Sequence, residues 1–477
     1  MAEAYPQGDI LILDETRDAA WTQYQGFVDR LVELGIHFQF DEAQRLPRSL
    51  PRDLWPYRLL IAPRSRSGEL ENDPQVVEFR KHGGQAEFVR DESLSFPDDC
   101  TEPAPLDWVS RNALEHWFTS FRPALHDPRM AKQLCDRPDA EVARALLDNA
   151  NAQNRRYMTY CDFPAVYWYG YLSLAELVGN SDCLATVQEQ MRELCEASTE
   201  RATGEHWHGD RGIVRWTQMK SIPAWLYQMT GDSTYRDYAR NVAESFLASY
   251  PRAQSGFFCH HSDWTCGEID TSCGGCLGRA AAVLDRPDYW DLIIQHFVRS
   301  YSLLGDAVSG LEYHMGGEWG HNRVIWGRGM GWSLWGLTMS LESMPDDYPG
   351  REKLLGILGR YADGLAECQS STGLWHNIVL DPRSDLESSC TAMYTACFAK
   401  AIRRKWLPED PRYDEMVDRG WRGLKSRVWQ GWLTGCCTGM AMSLNENYYW
   451  QRPFVRAMPF LALWASSEWL ALRQTRK

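Results

Sequence analysis

From about residue 107 onward, apolar side chains recur with helical period in segments that come in pairs, and this pattern most narrows what the chain can fold into. AVYWYGYLSLAELVG is followed by ATVQEQMRELCEAS, QMKSIPAWLYQMTG by TYRDYARNVAESFLASY, and CGGCLGRAAAVL by YWDLIIQHFVRSYSLL. The series continues with GWSLWGLTMSLESM and REKLLGILGRYADGLAEC, then AMYTACFAKAIRRKWL and YDEMVDRGWRGLKSRV, and a last segment near FLALWASSEWLAL. In each pair the first segment is rich in aromatic and small residues and the second in charge. That contrast predicts an inner, buried ring of helices and an outer, half-exposed one. Six such hairpins closed into a toroid, an (α/α)6 arrangement, explain the repeat. A solenoid is the alternative, but solenoid repeats keep a fixed length and consensus, whereas here the spacing is irregular and the loops between pairs are long. Long loops at one end of a toroid form a cleft.

Residues 1 to about 90 read differently. GDILILDE, IHFQFDE, WPYRLLIAP and QAEFV alternate with the amphipathic segments WTQYQGFVDRLVELGI and PQVVEFRKHGG, the latter ended by Gly83 and Gly84. Alternating strand and helix predicts a small parallel sheet with flanking helices, similar to the flavodoxin-like accessory domains of some glycosidases. It carries no phosphate-cradling glycine motif, so a packing or interaction role is expected of it. The polar, proline-bearing stretch DESLSFPDDCTEPAPLD then reads as a linker. The expected division is an α/β domain with its linker over 1–105 and a helical domain over 106–477.

The charge balance excludes one class of partner. A net charge of −14 argues against nucleic acid, because that binding depends on lysine and arginine neutralising phosphates. An acidic sugar needs only a local arginine. No run of about 18 uncharged apolar residues is present, and no basic flank precedes an apolar run near residue 1, so a cytoplasmic protein with no membrane partner is expected. Oligomeric state is not legible, and a homo-oligomer stays open. The 22 Trp and 21 Tyr are mostly core, where large rings bury the most surface, with a minority left to line a carbohydrate groove.

Fourteen cysteines spread over a long chain without a leader read as free, buried thiols. One cluster raises zinc: Cys259, Cys266, Cys273 and Cys276, with His260 and His261 nearby. Cys273 and Cys276 have the two-residue gap of zinc sites, yet a structural site usually shows two tight pairs and only one is present. Buried thiols are the preferred reading, with no metal and no cofactor expected.

Several motifs, in order, carry a resemblance: TGDSTYRDYA at 230–239, GEIDTSCGG from Gly267, GLEYH ending in His314, WGRGMGW from Trp326 to Trp332, GLWH from Gly373 to His376, and LESSCTAMYTACFAKAI from Leu386. Together they resemble the unsaturated rhamnogalacturonyl hydrolases and the related unsaturated glucuronyl hydrolases over about residues 155–472. The resemblance implies a six-hairpin fold and a glycosidase acting on a terminal uronic acid with a C4=C5 double bond. It implies Asp270 as proton donor: protonation at C4 lets water add at C5, and the hemiketal opens and expels the linked sugar. The paired carboxylates of ordinary glycosidases are not needed for this. Arg328 is then the partner of the substrate carboxylate, since a guanidinium fork matches two oxygens. Trp332, four residues on, shares its helical face. Trp326 and His314 are further cleft candidates. Without the resemblance, Asp270 reads as a helix cap, Arg328 as an ordinary ion pair and His314 as a buried core histidine.

Some positions depart from the pattern. Glu268 stands where relatives commonly have tryptophan, and SCGG replaces their bulky residues and methionine after the acid. The second aspartate of many relatives falls near Arg215, with Asp210 the nearest acid. A basic residue there suits another anionic group or a different substrate. Two other readings follow: an exo-acting uronidase on saturated uronides using Glu268 with Asp270 or Asp210, and a noncatalytic sugar-binding protein.

Overall fold

The computed structural model describes residues 10–12, 59–63, 67–81, 85–89, 128–148, parts of 170–177, 221–437 apart from 261, 262, 383, 385, 430 and 434, and 459–476. Helix predominates. Among the described residues no helix is long and apolar enough to cross a membrane.

Near the N-terminus, β1 (Ile10–Ile12), β2 (Leu59–Pro63) and β3 (Gln85–Val89) form a parallel sheet in that order. Parallel neighbours need a crossover, and α1 (Pro74–Lys81) supplies it between β2 and β3. Leu60, Ala62, Leu70, Val76 and Phe79 make one apolar cluster beneath it. All three strands fall where the sequence places them. The expected helix at 21–36, the strand at 36–42 and the linker with its boundary near 105 lie outside the described residues.

Among the described residues, the paired segments from 221 onward are helical hairpins. α2 (Ser221–Thr230) and α3 (Ser233–Ser249) are joined by Gly231 and by Asp232, whose carboxylate caps α3 by accepting from the Thr234 N–H. The next inner helix follows the short strand β4 (Trp264–Cys266). It begins as α4 (Gly267–Thr271), widens into a π-helix over Ser272–Gly278 and closes as α5 (Arg279–Leu284). Outer helix α6 (Pro287–Leu304) follows, with proline in its first turn, where a missing N–H costs nothing. Then come α7 (Gly327–Ser343) and α8 (Arg351–Cys368), α9 (Ser388–Arg403) and α10 (Pro411–Lys425), and finally α11 (Pro459–Thr475).

Burial separates the two rings as their composition predicts. From Gly327 to Leu341 every residue of α7 is buried, and α9 is buried from Ser388 to Ala401. α6, α8 and α10 bury one face only. Inner helices pack in succession, α4 on α7, α7 on α9, α9 on α11, and outer ones likewise, α6 on α8 and α8 on α10.

The contact between α4 and α7 is unusually close. Gly267 and Gly274 lie seven residues apart on one helix, Gly329 and Gly336 seven apart on the other. A methyl group at Gly267 would overlap the Gly329 carbonyl, one at Gly274 the Gly336 carbonyl, and one at Gly336 the carbonyl of Asp270. Only glycine permits this approach, so the backbones that carry the candidate acid and the candidate arginine are locked together.

Candidate active site

Glu268 and Asp270 lie on the single short helix α4, and Arg328 and Trp332 in the first two turns of α7. Cys266 precedes the first residue of α4 and makes no side-chain cap, while Asp270 lies within the helix. The capping reading of Asp270 therefore does not hold. Its carboxylate is buried, and Oδ1 lies 2.8 Å from His296 Nε2 on α6. Glu268, two residues earlier, faces elsewhere: it is beside His314, whose ring it pulls toward protonation.

His314 is buried at the end of the loop that returns from α6, and its amide donates to the Val324 carbonyl at 2.7 Å. A methyl group at Gly329 would overlap its ring, so a glycine of the WGRGMGW run makes room for the histidine of GLEYH. The Trp326 indole meets the ring edge-on at 4.8 Å between centroids. Burial pushes the His314 imidazole down to about 4, against the pull of Glu268 and with His260 and Arg328 acting in the same direction as burial. At neutral pH His314 is an uncharged hydrogen-bonding group.

Arg328 is buried, its guanidinium 4.7 Å from the centre of the Trp326 ring. Its Nη1 donates to Ser389 Oγ at 3.2 Å, and that hydroxyl donates to the Glu387 carboxylate, 2.7 and 2.8 Å from its two oxygens. Glu387 also caps α9, accepting from the Ser389 and Cys390 amides at 3.0 and 2.7 Å. A carboxylate at a helix N-terminus is well placed electrostatically. Sequence reasoning included the Leu386 run as a motif but did not single out Glu387 or Ser389.

Trp326 is held from both directions. Its indole N–H donates to Asn377 Oδ1 at 3.1 Å, and the Gly327 amide donates to the Asn377 carbonyl at 2.7 Å. The GLWH motif thus serves as the clamp for WGRGMGW: Trp375 is buried with its N–H on the Leu365 carbonyl, and His376 Nδ1 donates to the Ser384 carbonyl. Trp332 is fully buried, packed edge-on against Trp335 with ring centres 6.1 Å apart. Arg215 and Asp210 lie outside the described residues.

The thiols Cys259, Cys266, Cys273 and Cys276 are in no disulfide and are buried. Burial pushes the Cys266 and Cys273 thiols well up and Cys259 up to about 11. Among the described residues no group of three His, Cys, Asp or Glu side chains is set to hold a metal ion. His261 lies outside them.

Comparison with known proteins places this arrangement among the helical glycoside hydrolases. More particularly, the sequence profile of Glycosyl Hydrolase Family 88 matches residues 140–473, and the chain belongs to that family. It is 27% identical over 243 residues to the unsaturated rhamnogalacturonyl hydrolase YesR of Bacillus subtilis, a match spanning 48% of this chain and 68% of that protein. An unsaturated 3S-rhamnoglycuronyl hydrolase of Formosa agariphila is 27% identical over 153 residues, 29% of this chain and 40% of its own length. Among solved structures, a glycoside hydrolase from family 105 of C. acetobutylicum aligns with a TM-score of 0.60 at 19% identity, over 69% of this chain and 99% of that one. The unsaturated glucuronyl hydrolase of Bacillus sp. GL1 aligns with a TM-score of 0.51 at 14% identity, over 67% and 87%. At these identities the solved structures establish a shared fold. The chain is a glycoside hydrolase.

Proposed function

We propose that this hydrolase removes a terminal 4,5-unsaturated uronic acid from acidic oligosaccharides by hydrating its enol ether. The observation that carries the reading is the close backbone contact of α4 with α7, Gly267 against the Gly329 carbonyl and Gly336 against that of Asp270, with His314 beside Gly329 and under the charges of both Glu268 and Arg328. The names of the curated relatives support the substrate class. Six closed hairpins over 106–477, the α/β accessory domain over 1–105, and a cytoplasmic setting downstream of a polysaccharide lyase complete the picture.

In this mechanism Arg328 pairs with the uronate carboxylate and fixes the ring. The Asp270 carboxylic acid gives its proton to C4; the C4=C5 pair forms the new C–H bond, leaving positive charge shared by C5 and the ring oxygen. Water attacks C5 and passes a proton to the Asp270 carboxylate, restoring the acid. The resulting hemiketal opens and releases the linked sugar. His314, neutral and buried against Trp326, serves as a hydrogen-bonding group to the substrate, and Trp326 backs the Arg328 guanidinium.

Lyase-digested pectin, glycosaminoglycan and ulvan fragments, each incubated with the protein, test the reading, because hydration abolishes the ultraviolet absorbance of the conjugated uronide. Decay of absorbance with at least one of them is expected. Sugar release from saturated uronides without such decay would instead favour Glu268 and Asp270 as an ordinary acid and base.

A further inference from the structure

Behind the proposed donor lies a group of side chains that the reaction above does not use. His296 is wholly buried on α6, and both ring nitrogens are engaged. The Phe258 backbone N–H donates to Nδ1 at 3.1 Å. A ring nitrogen that accepts carries no hydrogen, so the proton of His296 sits on Nε2, and Nε2 donates to Asp270 Oδ1 at 2.8 Å. A backbone amide thus fixes the tautomer, and the histidine facing Asp270 is neutral.

Glu312 completes the group. It is 3% exposed, and its backbone is tied to the end of the helix that carries His296: Gly305 bridges Glu312, and the Tyr313 amide donates to the Leu304 carbonyl at 2.9 Å. Its carboxyl faces Asp270, Ser333 of α7 and Tyr361 of α8; burial, then the Asp270 charge, push it up to about 8. The other titratable groups facing Asp270 are Cys266 of β4, Cys273 of the π-helix and Tyr361, all pushed up by burial and all uncharged at neutral pH. Arg252 also acts on Cys273, lowering it, yet two carboxyls that share a dry site still disfavour each other's ionisation.

We propose that Asp270, His296 and Glu312 form a buried proton-holding unit, in which His296 fixes the donor and Glu312 keeps one proton on the carboxyl pair at neutral pH. His296 and Glu312 are positioning residues, acting through Asp270. The proton count closes: the unit loses one proton when C4–H forms and regains it from the water that adds at C5. This inference rests on Asp270 as donor, but its first test does not require turnover. Infrared titration of the wild-type protein should show a protonated-carboxyl band at neutral pH that fades as pH rises through about 8 and is missing from Glu312→Gln. Its absence from the wild type, or its persistence in Glu312→Gln, overturns the unit whether or not a substrate has been found.

With an active substrate, Glu312→Gln removes the neighbouring carboxyl, so the alkaline limb of kcat/KM should move down by at least about one pH unit while the rate at acid pH stays within about threefold. An equal loss at every pH would reduce Glu312 to packing and sink the proposal. His296→Gln keeps an N–H for Asp270 and should retain kcat within about fivefold, whereas His296→Ala should lose at least about tenfold in kcat with KM little changed. Should His296→Ala not fold, a His296→Gln protein with kcat reduced by more than about a hundredfold contradicts the positioning role.

Discussion

The two ends of α7 are held in opposite ways. From its start to its middle, glycines bring backbone against neighbour: Gly329 leaves room for His314, and Gly336 abuts the Asp270 carbonyl. At its far end the contacts are ionic and buried. Glu342 lies 3.0 Å from Lys400 and 3.1 Å from Arg279, and Lys400 lies 3.1 Å from Glu468, which also pairs with Arg403 at 2.7 Å. Burial alone would raise the Glu342 carboxyl, yet Lys400 and Arg279 hold it down to about 2. Steric exclusion has no range and no screening, so it fixes the site end to within a fraction of an ångström. Ion pairs tolerate small displacement, and they secure the far end while leaving the chemistry alone.

The comparison breaks most visibly at Lys400. Lys400→Met leaves Glu342 and Glu468 buried with a partner gone, which costs about 3–5 kcal/mol. Chemical denaturation should show that loss, while turnover of the folded fraction stays within about twofold because no ligand contact is touched. A fall in kcat matching the fall in stability would mean that the two ends are coupled.

The site end should respond to pH instead. His314 is neutral in the fold with its imidazole lowered to about 4, whereas the unfolded chain titrates near 6.5. The unfolded chain therefore binds the extra proton, and stability is lost as pH falls from about 6.5 to about 4, by about 3 kcal/mol in all. The wild-type minus His314→Gln difference in unfolding free energy across that window isolates the contribution.

A single methyl sharpens the point further. Gly336→Ala forces the Asp270 carbonyl away, at about 1–3 kcal/mol of overpacking, and should lower kcat as well. Gly356→Ala, on exposed α8 with open space around it, should stabilise by up to about 1 kcal/mol and leave kcat unchanged. Equal effects of the two would remove the steric lock from the account. Smallest in stability is Arg328→Lys, which keeps the charge and loses the fork. It should cost about 1–3 kcal/mol in kcat/KM with little change in Tm.

Helix placement was legible because it rests on local periodicity. The segment predicted at 234–250 is the helix Ser233–Ser249, and the aromatic-rich, charge-rich alternation became buried α7 beside half-exposed α8. The glycine lock was legible in principle, since small residues seven apart recur at 267 and 274 and at 329 and 336. Their pairing was not, because period alone does not say which helices meet. Neither His296 nor Glu312 was singled out: each lies tens of residues from Asp270, one on an outer helix that reads as ordinary amphipathic pattern, the other inside the GLEYH motif, where only His314 drew notice. Contacts that span hairpins depend on the closed fold, and a single chain carries no local sign of them.

The central claim is that Asp270 delivers the proton, and Asp270→Asn tests it most directly. Asparagine keeps the shape and can still meet His296, but it has no acidic proton to give. On whichever unsaturated oligosaccharide the wild-type protein consumes, the decay of absorbance should slow by at least about 10²-fold while circular dichroism stays that of the wild type. A folded Asp270→Asn protein that turns over at near wild-type rate would contradict the account and move the acid role to Glu268.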